Sequence, residues 1–148
     1  MTPPQRPFAT NIKVRFSDVD RAGIAYYPRV IHWLHVAFEE FFEQYCGVPY
    51  ATVLEKENLG FPAVDLKTEF VRPCRFGEVL TVLVSLARVG NSSSTFHYRI
   101  VGASGEERVR AFVTVVCVRL DSLQSTPLPP RYREKFVAAL DPAAGGGP

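Results

Sequence analysis

The stretch PRVIHWLHVAFEEFFEQYCG, residues 28–47, constrains the fold more than any other part of the chain. Val30, Leu34, Ala37, Phe38, Phe41 and Tyr45 recur at helical spacing, and Ile31, Trp33 and Phe42 widen the apolar stripe well beyond a narrow seam. Glu39, Glu40 and Glu43 leave only a polar edge. Pro28 suits the first helical position, and Gly47 followed by Pro49 is a stop. A helix this apolar needs cover on most of its circumference, so the rest of the chain must supply a surface that wraps it.

The remainder reads as extended. NIKVRFS, residues 11–17, alternates Ile12, Val14 and Phe16 against Lys13, Arg15 and Ser17, which predicts a strand with one buried face. Four longer segments follow: FPAVDLKTEFVRPCRF, EVLTVLVSLARV, SSTFHYRIVG and ERVRAFVTVVCVRL. Turn signals join them at Phe76-Gly77-Glu78, Gly90-Asn91-Ser92 and Gly102 to Gly105, and connections this short favour antiparallel pairing. AFVTVVCV is apolar on both faces, as a central strand would be. TVLEKEN suggests a short second helix, PPRYREKFVAAL a terminal one, and DPAAGGGP, residues 141–148, a disordered tail beyond a single domain of residues 1–140. The expected class is α+β: one long antiparallel sheet of about five strands curled around one buried central helix. A single such sheet leaves an edge and part of a face uncovered, so a homodimer is expected.

Composition narrows the function classes. A formal charge of +2 on 148 residues, with the bases scattered, gives no reason to expect nucleic acid. No stretch approaches the ~18 uninterrupted apolar residues of a membrane helix, and MTPPQRPF lacks the apolar core of a signal peptide. Cys46, Cys74 and Cys117 are odd in number and show no CxxC spacing, which fits reduced thiols in a cytoplasmic protein. His32 and His35 could share a helix face, but they form no paired ligand motif with the cysteines or His97, so no metal is expected.

One segment carries chemistry: FSDVDRAGIAYYPRVIHW, residues 16–33. An acid just before a helix is most often a cap or turn residue, and Tyr26 and Tyr27 could be core or interface aromatics. The segment nevertheless resembles the active-site stretch of the 4-hydroxybenzoyl-CoA thioesterase family of hotdog proteins. That pattern runs aromatic-x-D-x-D-x-x-G-I/V-x-Y/W-Y/H-P/A into an aromatic-rich helix. The later GFPAVDLKTEFVRPCRFGEVL is similar too, and the likeness spans roughly residues 10–138. The resemblance implies a hotdog fold, hydrolysis of an acyl-CoA with no metal or redox cofactor, and dimers that pair into tetramers. Carried over residue by residue, it makes Asp20, the second acid, the catalytic carboxylate and Gly23 the glycine of the turn. It makes the backbone N–H of Tyr27 the group that polarises the thioester carbonyl. Asp18 matches the first acid and is assigned no chemistry. Tyr26 and Phe61 become candidate pocket-lining residues, although Gly60-Phe61-Pro62 could equally be a plain strand entry.

Physical chemistry is compatible with that carry-over. Thioester hydrolysis needs a group that attacks or activates water, and donors for the oxyanion that forms. The first N–H groups of a helix lack partners within it and lie at the positive end of its dipole. Pro28 offers none, which leaves N–H groups around Tyr27 or Arg29. Asp20 could attack the carbonyl itself or deprotonate a water molecule. Family members often carry basic residues in the turn before the aromatic-x-aromatic strand, where this chain has GNSSSTF. Arg88, Ser94, Arg131 and Arg133 are then the candidate partners of the coenzyme A nucleotide. A benzoyl-type acyl group is favoured over an aliphatic one. The competing readings are a 3-hydroxyacyl thioester dehydratase or hydratase, which would need a placed histidine, and a non-enzymatic acyl-CoA-binding protein.

Overall fold

A computed structural model describes residues 7–144. Along the chain run β1 (Phe8–Lys13), α1 (Tyr27–Glu40), α2 (Tyr50–Glu55), β2 (Leu59–Gly60), β3 (Ala63–Phe70), β4 (Val79–Val89), β5 (Ser93–Val101), β6 (Glu107–Val116), β7 (Val118–Arg119) and α3 (Pro130–Ala138). Five strands form one sheet in the order β1-β4-β5-β6-β3, antiparallel at every pair, and β2 and β7 make a small separate ladder. This is the expected α+β hotdog architecture. Among the described residues no helix is long and apolar enough to cross a membrane.

The period-2 pattern of the long strands sets one face inward: Leu80, Val82, Val84 and Leu86 on β4, Phe96, Tyr98 and Ile100 on β5, Val109, Ala111 and Val115 on β6. α1 lies against that face, with Phe38 and Phe41 meeting Phe96 edge-on at 5.1 and 5.4 Å between ring centres. After Glu40 the helix widens into a π turn over Phe41–Tyr45, and consecutive Phe41 and Phe42 are both fully buried. α3 closes the end of the core, placing Tyr132 and Phe136 at 5.4 and 5.9 Å from Phe42.

Several local expectations are corrected. β1 runs from residue 8 to 13 rather than 11 to 17, because Asp18 N–H donates to the Arg15 carbonyl and Arg15 N–H donates to the Asp18 carboxylate. Those bonds fold residues 16–18 into a tight turn that breaks the alternation after Val14, so Phe16 is 81% exposed instead of buried. α1 begins at Tyr27, one residue before Pro28. β3 ends at Phe70, where the N–H groups of Val71 and Arg72 both turn to the Arg108 carbonyl. AFVTVVCV falls mostly on β6, which is an interior strand as expected, paired with β5 on one side and β3 on the other. Of the expected tail, residues 141–144 stay on the domain: Asp141 N–H donates to the Leu86 carbonyl and Ala144 is buried. Residues 145–148 lie outside the described residues. β3 is the sheet edge beside β6 and exposes Val64, Leu66 and Phe70.

Candidate active site

The acidic segment folds into a small hairpin before α1. Tyr26 N–H donates to the Asp18 carbonyl at 2.8 Å, Asp20 N–H to the Ile24 carbonyl at 3.0 Å, and Gly23 N–H to the Asp20 carbonyl at 3.0 Å. Gly23 has φ +76°, the left-handed conformation that closes this turn and that a side chain would disfavour. The hairpin is zipped to the segment ahead of β4, because Ala25 N–H reaches the Cys74 carbonyl and Phe76 N–H the Gly23 carbonyl. Asp20 therefore sits at a braced tip, folded back beside the start of the helix seven residues later.

Both ends of the proposed chemistry open onto one cavity of about 380 Å³, lined by Asp20, Tyr26, Tyr27, Phe70, Arg72 and Cys74 among others. Ala22 N–H holds Asp20 Oδ1 at 2.9 Å, and Asp20 itself is exposed. Tyr26, the residue before α1, supplies no side-chain cap. Arg29 N–H donates to the Tyr26 carbonyl at 2.8 Å and Pro28 has no N–H. The open donor of this first turn is thus the Tyr27 N–H, for which the described residues offer no acceptor.

Asp18 differs from Asp20 in every respect. It is 3% exposed, and its two carboxylate oxygens accept Arg15 N–H at 2.8 Å and Arg29 Nε at 2.9 Å. It ties the hairpin to the first turn of α1. Behind the cavity, Arg108 donates to both carboxylate oxygens of Glu78 and to Glu106. Those Arg108 hydrogen bonds hold the Glu78 carboxyl below the usual carboxylate range, and with the Arg108 bond to the Pro73 carbonyl they brace the cavity's Pro73-Cys74 wall. Burial pushes the Cys74 thiol up to about 11, so it stays protonated at neutral pH.

Of the sequence-predicted residues, Asp20, Tyr26 and Tyr27 meet in this cavity, and Gly23 lines a second one that shares Asp20. Phe61 does not join them. It is buried against Phe38, Phe42 and Phe136 and borders a different cavity of about 330 Å³ beside His35 and Leu66. Arg88, Ser94 and Arg131 are likewise apart. Ser94 is buried opposite Val115, six residues along β6 from the Val109 that walls the Asp20 cavity, a span of ~20 Å. Arg88 is exposed at that same far end, across from Thr95. Arg131 is paired with Glu57, and Arg133 donates to the carbonyls of Gly90 and Asn91. None of the three histidines lines either cavity containing Asp20: His35 pairs with Glu39, and His97 packs on Phe112 at 4.7 Å. Sequence reasoning missed Phe70, Arg72 and Cys74 as cavity walls. The signal was present in the run FVRPC, which leaves β3 after Phe70 and carries Arg72 and Cys74 to the cavity.

Comparison with known proteins places this geometry in context. The profile of the thioesterase-like superfamily matches residues 14–136. The 1,4-dihydroxy-2-naphthoyl-CoA hydrolase of Synechococcus sp. (strain WH7803) is 25% identical over 135 residues, covering 86% of this chain and 87% of that protein. The 4-hydroxybenzoyl-CoA thioesterase of Pseudomonas sp. (strain CBS-3) is 35% identical over a shorter 72 residues, 47% of this chain and 50% of that one. The crystal structure of a thioesterase superfamily protein from Jannaschia sp. CCS1 superposes with a TM-score of 0.86 at 24% identity, covering 95% of this chain and 99% of that chain.

Proposed function

The chain belongs to the thioesterase-like superfamily and is an acyl-CoA thioester hydrolase, and we propose that Asp20 is its reacting carboxylate, the Tyr27 N–H its oxyanion donor, and an aromatic, benzoyl-type acyl group its substrate. The observation that carries this reading is the pairing of an accessible carboxylate with an uncapped helix N-terminus in one cavity. A thioester carbonyl docked there would meet the Tyr27 N–H at the positive end of α1, which favours the negative charge that develops on oxygen.

Asp20 can act in either of two ways. As nucleophile, a carboxylate oxygen adds to the carbonyl carbon, the C–S bond breaks, and coenzyme A leaves as a thiolate that takes up a proton. Water then cleaves the mixed anhydride and restores the carboxylate. As general base, Asp20 takes a proton from a water molecule that adds to the same carbon; the tetrahedral intermediate then collapses, the C–S bond breaks, and coenzyme A leaves as a thiolate that takes up that proton. Holding Oδ1 on the Ala22 N–H fixes the carboxyl plane for both routes.

Tyr26, Tyr27 and Phe70 give the cavity aromatic walls suited to a flat acyl group. The two curated relatives bear names of hydrolases of hydroxyaryl thioesters, which supports the same direction. A homodimer formed along the exposed β3 edge, and a tetramer built from it, would cover Val64, Leu66 and Phe70. Three free cysteines, two of them buried, fit a reducing cytoplasm. The test is free-thiol release from a panel running from acetyl- to palmitoyl-CoA with benzoyl-, hydroxybenzoyl- and phenylacetyl-CoA included. The highest kcat/KM is expected on an aryl member; a clear preference for any aliphatic chain would refute the substrate assignment.

A further inference from the structure

Resting on the reading of Asp20 as the reacting carboxylate, we propose that Arg108 is its positioning residue, holding the Asp20 hairpin in place through the loop between β3 and β4. Ile100 pairs with Val109 and Val101 with Glu107, so Arg108 is the extra residue of a bulge near the start of β6. A bulge re-aims the side chain it carries. Arg108 is only 9% exposed and lines neither cavity that contains Asp20, so it acts on the site through other residues.

Residues 71–78 carry no helix or strand of their own, and Arg108 grips them with both its backbone and its side chain. Its carbonyl accepts Val71 N–H at 2.8 Å and Arg72 N–H at 3.1 Å. Its Nη1 donates to the Pro73 carbonyl and to Glu78 Oε1, both at 2.9 Å. Its Nη2 donates to Glu78 Oε2 at 2.7 Å and to Glu106 Oε1 at 2.8 Å. Glu78 Oε1 also accepts Arg75 N–H at 2.6 Å, which closes the loop on itself. A planar fork of this kind fixes direction as well as distance. The loop in turn fixes the hairpin: the Cys74 carbonyl accepts Ala25 N–H at 2.7 Å, and the Gly23 carbonyl accepts Phe76 N–H at 3.1 Å. The Asp20 side chain is exposed and tethered only to the Ala22 N–H of its own turn among the described residues. Its place at the cavity is therefore set by where the hairpin is held. Loosening that hold displaces the carboxylate without removing any group that touches the substrate, which costs rate more than binding.

The experiment is thiol release from the best acyl-CoA by Arg108→Lys, which keeps the charge and loses the fork. We expect kcat to fall ~10-fold with KM within about three-fold, and the loss to shrink to within about two-fold when the substitution is made in an Asp20→Asn background. Arg110→Lys, two residues along the same strand and paired with Glu69 and Glu107, should keep the native kcat. If Arg108→Lys does not fold, Glu78→Gln takes its place; it removes one acceptor of the fork and should lower kcat ~3-fold in the same pattern. A folded variant with native kcat, a loss confined to KM, or an equal fold-loss with and without Asp20 would overturn the proposal. Amide hydrogen exchange tests it without turnover. Ala25 and Phe76 N–H should exchange ~10-fold faster in the variant while the Ile100 amide is unmoved, and unchanged exchange at the first two refutes the relay. A native rate in Asp20→Asn alone would instead show the carboxylate assignment to be wrong, and exchange would still decide whether Arg108 holds the hairpin.

Discussion

Asp18→Ala should loosen the site without touching the reacting atoms. The substitution deletes a buried carboxylate that accepts Arg15 N–H at 2.8 Å and Arg29 Nε at 2.9 Å. A hydrogen bond to a buried charged acceptor is worth about 1.5–3 kcal/mol. The Arg29 side chain is 43% exposed, so solvent screening holds the ion pair to about 1 kcal/mol at most. Together these predict a destabilisation of about 2–4 kcal/mol, a fall in Tm of ~10 °C for a chain of this size. Asp18→Asn keeps an acceptor for the Arg15 N–H and loses the charge, so it should recover more than half of that. Because the Asp18 carbonyl also receives Tyr26 N–H, a relaxed turn would misaim the neighbouring Tyr27 N–H. We expect kcat to fall ~10-fold in the alanine variant with KM little changed, and to be largely rescued in the asparagine variant. Thermal denaturation followed by circular dichroism, paired with thiol-release kinetics below the transition, measures both effects. An alanine variant as stable and as active as the native protein would refute the reasoning.

Three further outcomes follow from named contacts. The Glu78 carboxyl is held low by Arg108, so its contribution to stability is present above the unfolded glutamate's value of about 4.5 and is lost as pH falls through the lower folded value. Native protein should lose stability on acidification below that point, and Glu78→Gln should show a shallower acid loss in denaturant titrations. Leu66→Glu places a charge on the exposed β3 edge and should shift the assembly toward monomer in light scattering, leaving the monomer folded. Gly23→Ala has no steric neighbour at its added carbon but forces φ +76° on a side chain, so a loss of about 1 kcal/mol in stability is expected.

The helix was the most legible part of the sequence because its apolar period is strong and long, and the strands followed because only a sheet could cover it. What escaped reading depends on contacts between residues distant in sequence. Phe16 continues the alternation of β1 in the sequence, yet Asp18 bonds back to Arg15 and throws that ring outward. Asp18 itself looked inert because its partner Arg29 reaches it only once the hairpin is folded. Arg108 and Glu78 lie 30 residues apart and meet through the sheet register alone. The resemblance points Phe61 and Ser94 toward the substrate, whereas the fold seats Phe61 at a separate cavity and strand register sets Ser94 opposite Val115 at the far end of the sheet. The D-x-D segment was legible as a candidate site because acid, glycine and tyrosine positions matched the family pattern together. The distinction between its two acids, one buried and bonded and one open, belongs to the fold.

Asp20→Asn, assayed beside the native protein for thiol release on its best acyl-CoA, tests the central claim most directly. The account predicts an intact fold by circular dichroism and a loss of ~10² or more in kcat, the range of a removed nucleophile or base. A folded asparagine variant that turns over within a few-fold of the native rate would contradict it.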